Sequence, residues 1–401
     1  MSALPRGLPA AATRSAPTLD RGWRVVAGAF LVTMVGYGAI YSYAAFAEEI
    51  AAAFGASRAS VTMVYALSGS ACFFVGALTG PLADRIGARA LAAIGMLLVA
   101  AGFLLAAAAE TLIEVYLGYG LLVGLGAGCA YVPAMALVQR WFRVHRGLAS
   151  GLAVSGIGMG TALVPPGAAA LFALGDWRIA FLGCAALSLA VGLAGAALLA
   201  PAPGDEAGFE TAAAPTPPPV VATRGFAWTY AGVLLVSLPA VLPHALLVAS
   251  ARDMGLPAGE ALALLGLIGL GTIAGRFLLA LLADAVGRRL VFLLCCAGMS
   301  LSMLAWAWGT DEATLQAFAL AFGALQGGFV ALLPAFTADR FGPRGLGGVL
   351  GVLYTARGLA LLLAPPAVAA VAVALAAPGP ALLAAAGLGV AGTVLLVRSR
   401  A

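Results

Sequence analysis

The sequence predicts an all-α integral membrane protein: twelve transmembrane helices in two pseudo-symmetric six-helix halves. Three observations predict it. Hydrophobic residues make up 63% of the 401-residue chain and charged residues only 9%, against about a quarter charged in a soluble domain. Such a chain cannot cover itself in water, but it can in lipid, where helices and closed barrels alone satisfy every backbone group. The apolar runs last about twenty residues, the length that crosses a bilayer as a helix, and lack the alternation of a membrane strand. The third observation is an internal repeat at an offset of 200 residues.

Residues 1–22 read as a disordered cytoplasmic tail. The stretch from Met1 to Asp20 is rich in Ala, Pro and Arg and has no apolar core that a cleavable signal would need. Breaks at charges, Pro and Gly then place spans centred near Val35, Ser70, Val99, Leu125, Gly158 and Leu189, an N-terminal half over 23–200. From Pro201 to Arg224 the chain turns polar, with Pro215, Pro217, Pro218 and Pro219 beside Asp205, Glu206 and Glu210. That composition predicts a cytoplasmic linker over 201–224. The C-terminal half, 225–401 with its short tail, holds spans centred near Ala240, Leu270, Leu301, Gly327, Gly358 and Gly389.

Sixteen of the 21 arginines fall in the two tails and the even-to-odd loops, three in the other loops (Arg58, Arg178, Arg252) and two within spans. By the positive-inside rule both termini are cytoplasmic. There is no lysine, which excludes Schiff-base chemistry, and the cysteines at 72, 129, 184, 295 and 296 lie within apolar spans without metal-site spacing. No nucleophile–base pair stands out, so no enzyme activity, cofactor or metal is expected, nor a nucleic-acid partner. The glycine-rich fourth and fifth spans favour close helix contact. Gly156-Ile-Gly158 lacks the preceding strand that a nucleotide loop requires.

The repeat is specific. Gly80-Pro-Leu-Ala-Asp84-Arg85-Ile-Gly87-Ala-Arg89 follows the second span and Ala280-Leu-Leu-Ala-Asp284-Ala-Val-Gly287-Arg288-Arg289 the eighth. Pro165-Pro166 and Gly158 recur as Pro365-Pro366 and Gly358. Parallel halves of this kind build secondary transporters with a site at the bilayer midplane between them.

Gly80 to Arg89 resembles the loop signature of the major facilitator superfamily. The resemblance implies that Asp84, Arg85 and Arg89, and in the second copy Asp284 and Arg288, gate the cytoplasmic side during alternating access. Asp20-Arg21-Gly22-Trp23, and the stretch from Trp141 to Gly151, look like signatures of monocarboxylate porters. The stretch from Pro334 to Gly342, and Tyr354-Thr355-Ala356-Arg357-Gly358, look like the related oxalate/formate antiporters. The resemblance implies a carboxylate-transporting branch working at the cell (inner) membrane, as a monomer, with a small organic anion as substrate.

Arg276 and Arg357 carry the chemistry. Arg276 stands eight residues before Asp284, about 12 Å along a helix. Arg357 stands 13 residues after Arg344, about 20 Å. Both therefore fall near the middle of a core about 30 Å thick. A guanidinium does not shed its proton and costs at least about 3 kcal/mol there. The repeat equivalents, Gly76 and Ile157, show that the scaffold requires no charge at either place. With no acid deep within a span, the expected neutralising anion is the substrate, a mono- or dicarboxylate gripped by a guanidinium fork.

Tyr37, Tyr41, Tyr131, Tyr354 and Gln326 are candidate pocket residues; Tyr354 shares a helix face with Arg357. Tyr43 and Tyr65 read as packing. His244, beside Pro239 and Pro243, is a candidate proton site. Animal monocarboxylate porters place an Asp four residues before the eighth-helix Arg. Here that position is Thr272, which leaves open whether a proton or a second anion is co- or counter-transported. The competing readings are an exporter of neutral or cationic solutes, which needs an intramembrane acid or a neutral pocket, and a membrane sensor.

Overall fold

The computed structural model describes residues 19–142, 146–172, 175–202, 219–309, 311–341, 346–375 and 379–399. Among them are twelve helices long and apolar enough to cross a membrane. The first six are α1 (Arg21–Phe54), α2 (Arg58–Thr79), α3 (Ala88–Ala107), α4 (Leu112–Trp141), α5 (Ala149–Leu171) and α6 (Trp177–Leu198). The second six are α7 (Arg224–Asp253), α8 (Ala258–Ala283), α9 (Arg288–Trp308), α10 (Glu312–Phe341), α11 (Val349–Ala374) and α12 (Gly379–Arg398). Each of the twelve centres read from hydropathy falls inside one of them. Helical structure begins at Leu19, and beyond α2 and α8 it continues to Ile86 and Val286. Of the stretch read as a linker, 203–218 lies outside the described residues, Pro219–Ala222 forms one turn of 3₁₀ helix, and Arg224 opens α7.

The 200-residue repeat is written into the backbone. Among the described residues the glycines at positive φ are Gly55, Gly87, Gly255 and Gly287, two pairs at that offset. Gly87 (φ 84°) and Gly287 (φ 108°) join α2 to α3 and α8 to α9, a backbone region that side chains with a Cβ avoid. Each donates its N–H to the alanine four residues earlier, at 2.9 Å to the Ala83 carbonyl and 3.0 Å to that of Ala283. Gly55 and Gly255 end α1 and α7. The residues after them close matching bonds, Ala56 N–H to Ala51 O at 3.0 Å and Leu256 N–H to Ala251 O at 3.1 Å, the six-to-one pattern of a Schellman C-cap.

The halves meet along two crossings related by the same offset, α5 with α8 and α2 with α11. Gly158 lets α5 approach the backbone of α8 at Gly269, and Gly358 lets α11 approach Phe73 and Phe74 of α2. Helices α3, α6, α9 and α12 stand outside these crossings and present apolar side chains outward: Leu97 and Leu104, Leu182 and Leu189, Leu290 and Leu301, Leu388 and Val394. In lipid that surface needs no cover.

At one end, charged side chains bridge the halves. Arg58, the first residue of α2, makes a two-pronged ion pair with Asp253, the last of α7, at 2.5 and 2.9 Å. Glu48 of α1 lies 3.5 Å from Arg252 of α7. Helix α1 breaks at Ser42, where the Tyr119 hydroxyl donates to the Ala39 carbonyl at 2.8 Å and lies 2.9 Å from the Ser42 hydroxyl.

Candidate functional site

Between the halves lies a closed cavity of about 30 Å³, room for one or two waters. Its N-terminal wall is Tyr37 and Tyr41 of α1, Phe73 of α2, Tyr131 of α4 and Ile157 of α5. The C-terminal wall is Thr272 and Arg276 of α8, Gln326, Val330 and Leu333 of α10, and Tyr354 and Arg357 of α11. One wall is aromatic and uncharged; the other carries both cations. Ile157, the repeat counterpart of Arg357, faces the same space as an apolar group.

Close packing of α8 on α10 positions the first cation. A side chain at Gly275 would strike the Ala324 carbonyl, and one at Gly327 that of Thr272. The Arg276 guanidinium points across the cavity, and Nη1 donates to the Val154 carbonyl of α5. Arg276 is 3% exposed, and its Nε finds no partner.

Arg357 is held by rings. Its guanidinium carbon lies 5.3 Å from the Phe73 ring centre and 5.2 Å from that of Phe329. Both lie within cation–π range, one ring from each half. Arg357 is 6% exposed, and its Nε also lacks a partner. Among the described residues lining the cavity none is an acid. Two buried guanidinium groups without a carboxylate make a site that anions favour and cations do not.

The N-terminal tyrosines form one chain of rings, and Tyr354 stands apart from it against Phe73. Tyr37 meets Tyr131 edge-on at 5.2 Å and Tyr41 at 6.0 Å. Tyr354 lies 6.0 Å from Phe73. Tyr43 and Tyr65 are buried away from the cavity, and the Tyr43 hydroxyl donates to Thr62 at 3.1 Å. Gln326 is held by Nε2, which donates to the Ala240 carbonyl of α7 at 2.9 Å.

His244 does not line the cavity. It stacks on Tyr41 at 4.3 Å, one ring behind the wall, with Phe322 at 6.2 Å and an unpartnered, buried Nδ1. Of the residues read as gating, Arg89 is exposed and Arg288 lies 3.7 Å from Asp339. The side chains of Asp84, Arg85 and Asp284 lie outside those described.

Sequence reasoning missed three features. Phe73 and Phe329 were not read as a clamp, because a phenyl ring in an apolar run stands out from nothing. The Val154 carbonyl is backbone and has no sequence signal. The cross-half ion pairs had one: Arg58 and Arg252 are arginines in loops where positive charge is otherwise scarce.

Residues 29–243 match the family model of the Major Facilitator Superfamily. The chain is similar to monocarboxylate transporter 3 of Rattus norvegicus, 31% identical over 368 residues that span 86% of this chain and 73% of the rat protein. It is 29% identical to monocarboxylate transporter 11 of Homo sapiens over 86% of this chain and 76% of the human one. To monocarboxylate transporter 13 of Rattus norvegicus it is 30% identical over 76% of this chain and 72% of that protein. With twelve membrane helices among the described residues, this family match and relatives of this kind, the chain belongs to the major facilitator superfamily and is a multi-pass membrane transporter of the monocarboxylate-transporter type.

Proposed function

We propose that this protein carries a small organic anion with a carboxylate group across the cell (inner) membrane by alternating access, its six-helix halves, 23–200 and 225–401, rocking about the central cavity. The single observation that carries the reading is the pair of buried guanidinium groups, Arg276 and Arg357, lining one cavity with no acid among its described lining residues. Burying one such charge costs several kcal/mol, so a partner anion binds into a site that already lacks one. The names of the relatives, all monocarboxylate transporters, support one carboxylate per substrate.

The geometry also supplies a coupling. Arg276 donates to Val154 across the halves. A carboxylate is a stronger, charge-assisted acceptor than a carbonyl, so an arriving anion draws Arg276 off Val154 and weakens a bond that holds the halves together. The arginine distribution puts both termini in the cytoplasm.

Uptake of a radiolabelled monocarboxylate into proteoliposomes tests the reading. Arg276→Gln and Arg276→Lys are compared with the parent after each is shown monodisperse. Loss of a charge-assisted pair is worth about 1.5–3 kcal/mol, so Arg276→Gln is expected to raise the half-saturation concentration about 10- to 100-fold. Undiminished uptake by a well-folded Arg276→Gln protein overturns the proposal.

A further inference from the structure

We propose that Gln326 makes this site select 2-hydroxy acids over the corresponding 2-oxo acids, an inference that rests on the anion reading above. The argument begins with the polar inventory of the cavity. Arg276 and Arg357 only donate hydrogen bonds, and the hydroxyls of Tyr37, Tyr41, Tyr131, Tyr354 and Thr272 can donate or accept. Among the described lining side chains, only that of Gln326 offers an oxygen that accepts and can never donate.

An amide could in principle turn over and present its NH₂ instead. Here it cannot do so without loss, because Nε2 is committed to the Ala240 carbonyl at 2.9 Å. Oε1 is the free end: it accepts from no described side chain and is not among the enclosed atoms that lack a partner, so it opens onto the cavity. Gln326 sits one turn before Phe329, whose ring carries Arg357, and on the same α10 stripe as Val330 and Leu333. Gln326 and both arginines line the same small cavity, so the α-substituent of a carboxylate held at the arginines shares that space with Gln326.

The substituent that fits is a neutral donor. An ammonium group is repelled by two guanidinium charges. A hydroxyl can donate to Oε1, whereas an oxo group sets two acceptors against each other. Sites that hydrogen-bond a substrate hydroxyl discriminate against analogues lacking it, because the protein group is left unpaired.

The test measures binding to the purified full chain by isothermal titration, using matched 2-hydroxy and 2-oxo acids of three to six carbons. The expected result is a preference for the hydroxy acid of about tenfold or more, collapsing toward unity in Gln326→Met, which keeps the side-chain volume. Folding of Gln326→Met is checked by its melting temperature and monodispersity, and its oxo-acid affinity should rise as the opposed acceptor is removed. Equal or tighter binding of the oxo acids, binding of neither series, or a preference that survives Gln326→Met overturns the inference. Arg276→Gln separates the two levels. If it leaves carboxylate binding intact, the anion reading falls; if it abolishes binding while Gln326→Met leaves the preference, only the hydroxyl reading falls.

Discussion

At the scale of single residues, the surroundings of Arg357 predict that a planar cation serves there better than a positive charge alone. Phe73 and Phe329 lie with their ring centres 5.3 and 5.2 Å from its guanidinium carbon, within cation–π range, and Arg and Lys are not interchangeable at such a site. Arg357→Lys keeps the charge and loses the planar group and its fork. Cation–π contacts that are desolvated are worth up to about 2 kcal/mol, so carboxylate affinity should fall about 10- to 30-fold, read by titration calorimetry. An affinity within twofold of the parent would show that charge alone suffices. Both arginines were legible in the sequence, because a charge in an apolar run is conspicuous and the repeat gives Gly76 and Ile157 at the equivalent places. Their neighbours were not, since Val154 acts through its backbone and the two phenylalanines look like any lipid-facing ring.

At the scale of helices, the site depends on how closely α8 and α10 can pack. A Cβ at Gly275 would collide with the Ala324 carbonyl, and backbone cannot swing aside as a long side chain can. Gly275→Val therefore forces the helices apart and moves Arg276 relative to Gln326. Overpacking of this kind costs about 1–3 kcal/mol. The expected outcome is a lower melting temperature in detergent, together with a loss of anion binding. Gly387, around which a Cβ meets nothing, supplies the control: Gly387→Ala should leave both unchanged. Helix existence was readable from hydropathy, and so was the loop repeat at Gly87 and Gly287. The matching pair Gly55 and Gly255 was equally present at the 200-residue offset. It escaped notice because the residues around each differ, and only the positive φ and the closing bonds of Ala56 and Leu256 give it meaning.

At the scale of the whole molecule, the state in which the cavity is closed is tied at one end by charges that cross the halves. Arg58 grips Asp253 with both terminal nitrogens, and Arg252 lies beside Glu48. All four belong to helix ends that must separate if the cavity is to open on that side. The Arg58 and Asp253 side chains are 46% and 55% exposed, so each pair contributes about 0.2–1 kcal/mol, not the several kcal/mol of a buried pair. That size suits a latch. Two pairs shift an opening equilibrium by a factor of about 2 to 30, enough to bias it without blocking the cycle. Spin labels at Ala51 and Leu256, in a background with the five buried cysteines replaced, report the separation by double electron–electron resonance. Arg58→Gln with Glu48→Gln should raise the long-distance population by that factor. About 0.5 M salt should act in the same direction on the parent, because its screening length is only a few ångströms. Exchanging the partners, Arg58→Asp with Asp253→Arg, should return the parent distribution, since the pair and not either charge is what holds. A distance distribution indifferent to the double neutralisation would mean that the helix crossings alone, α2 with α11 and α5 with α8, keep this end shut.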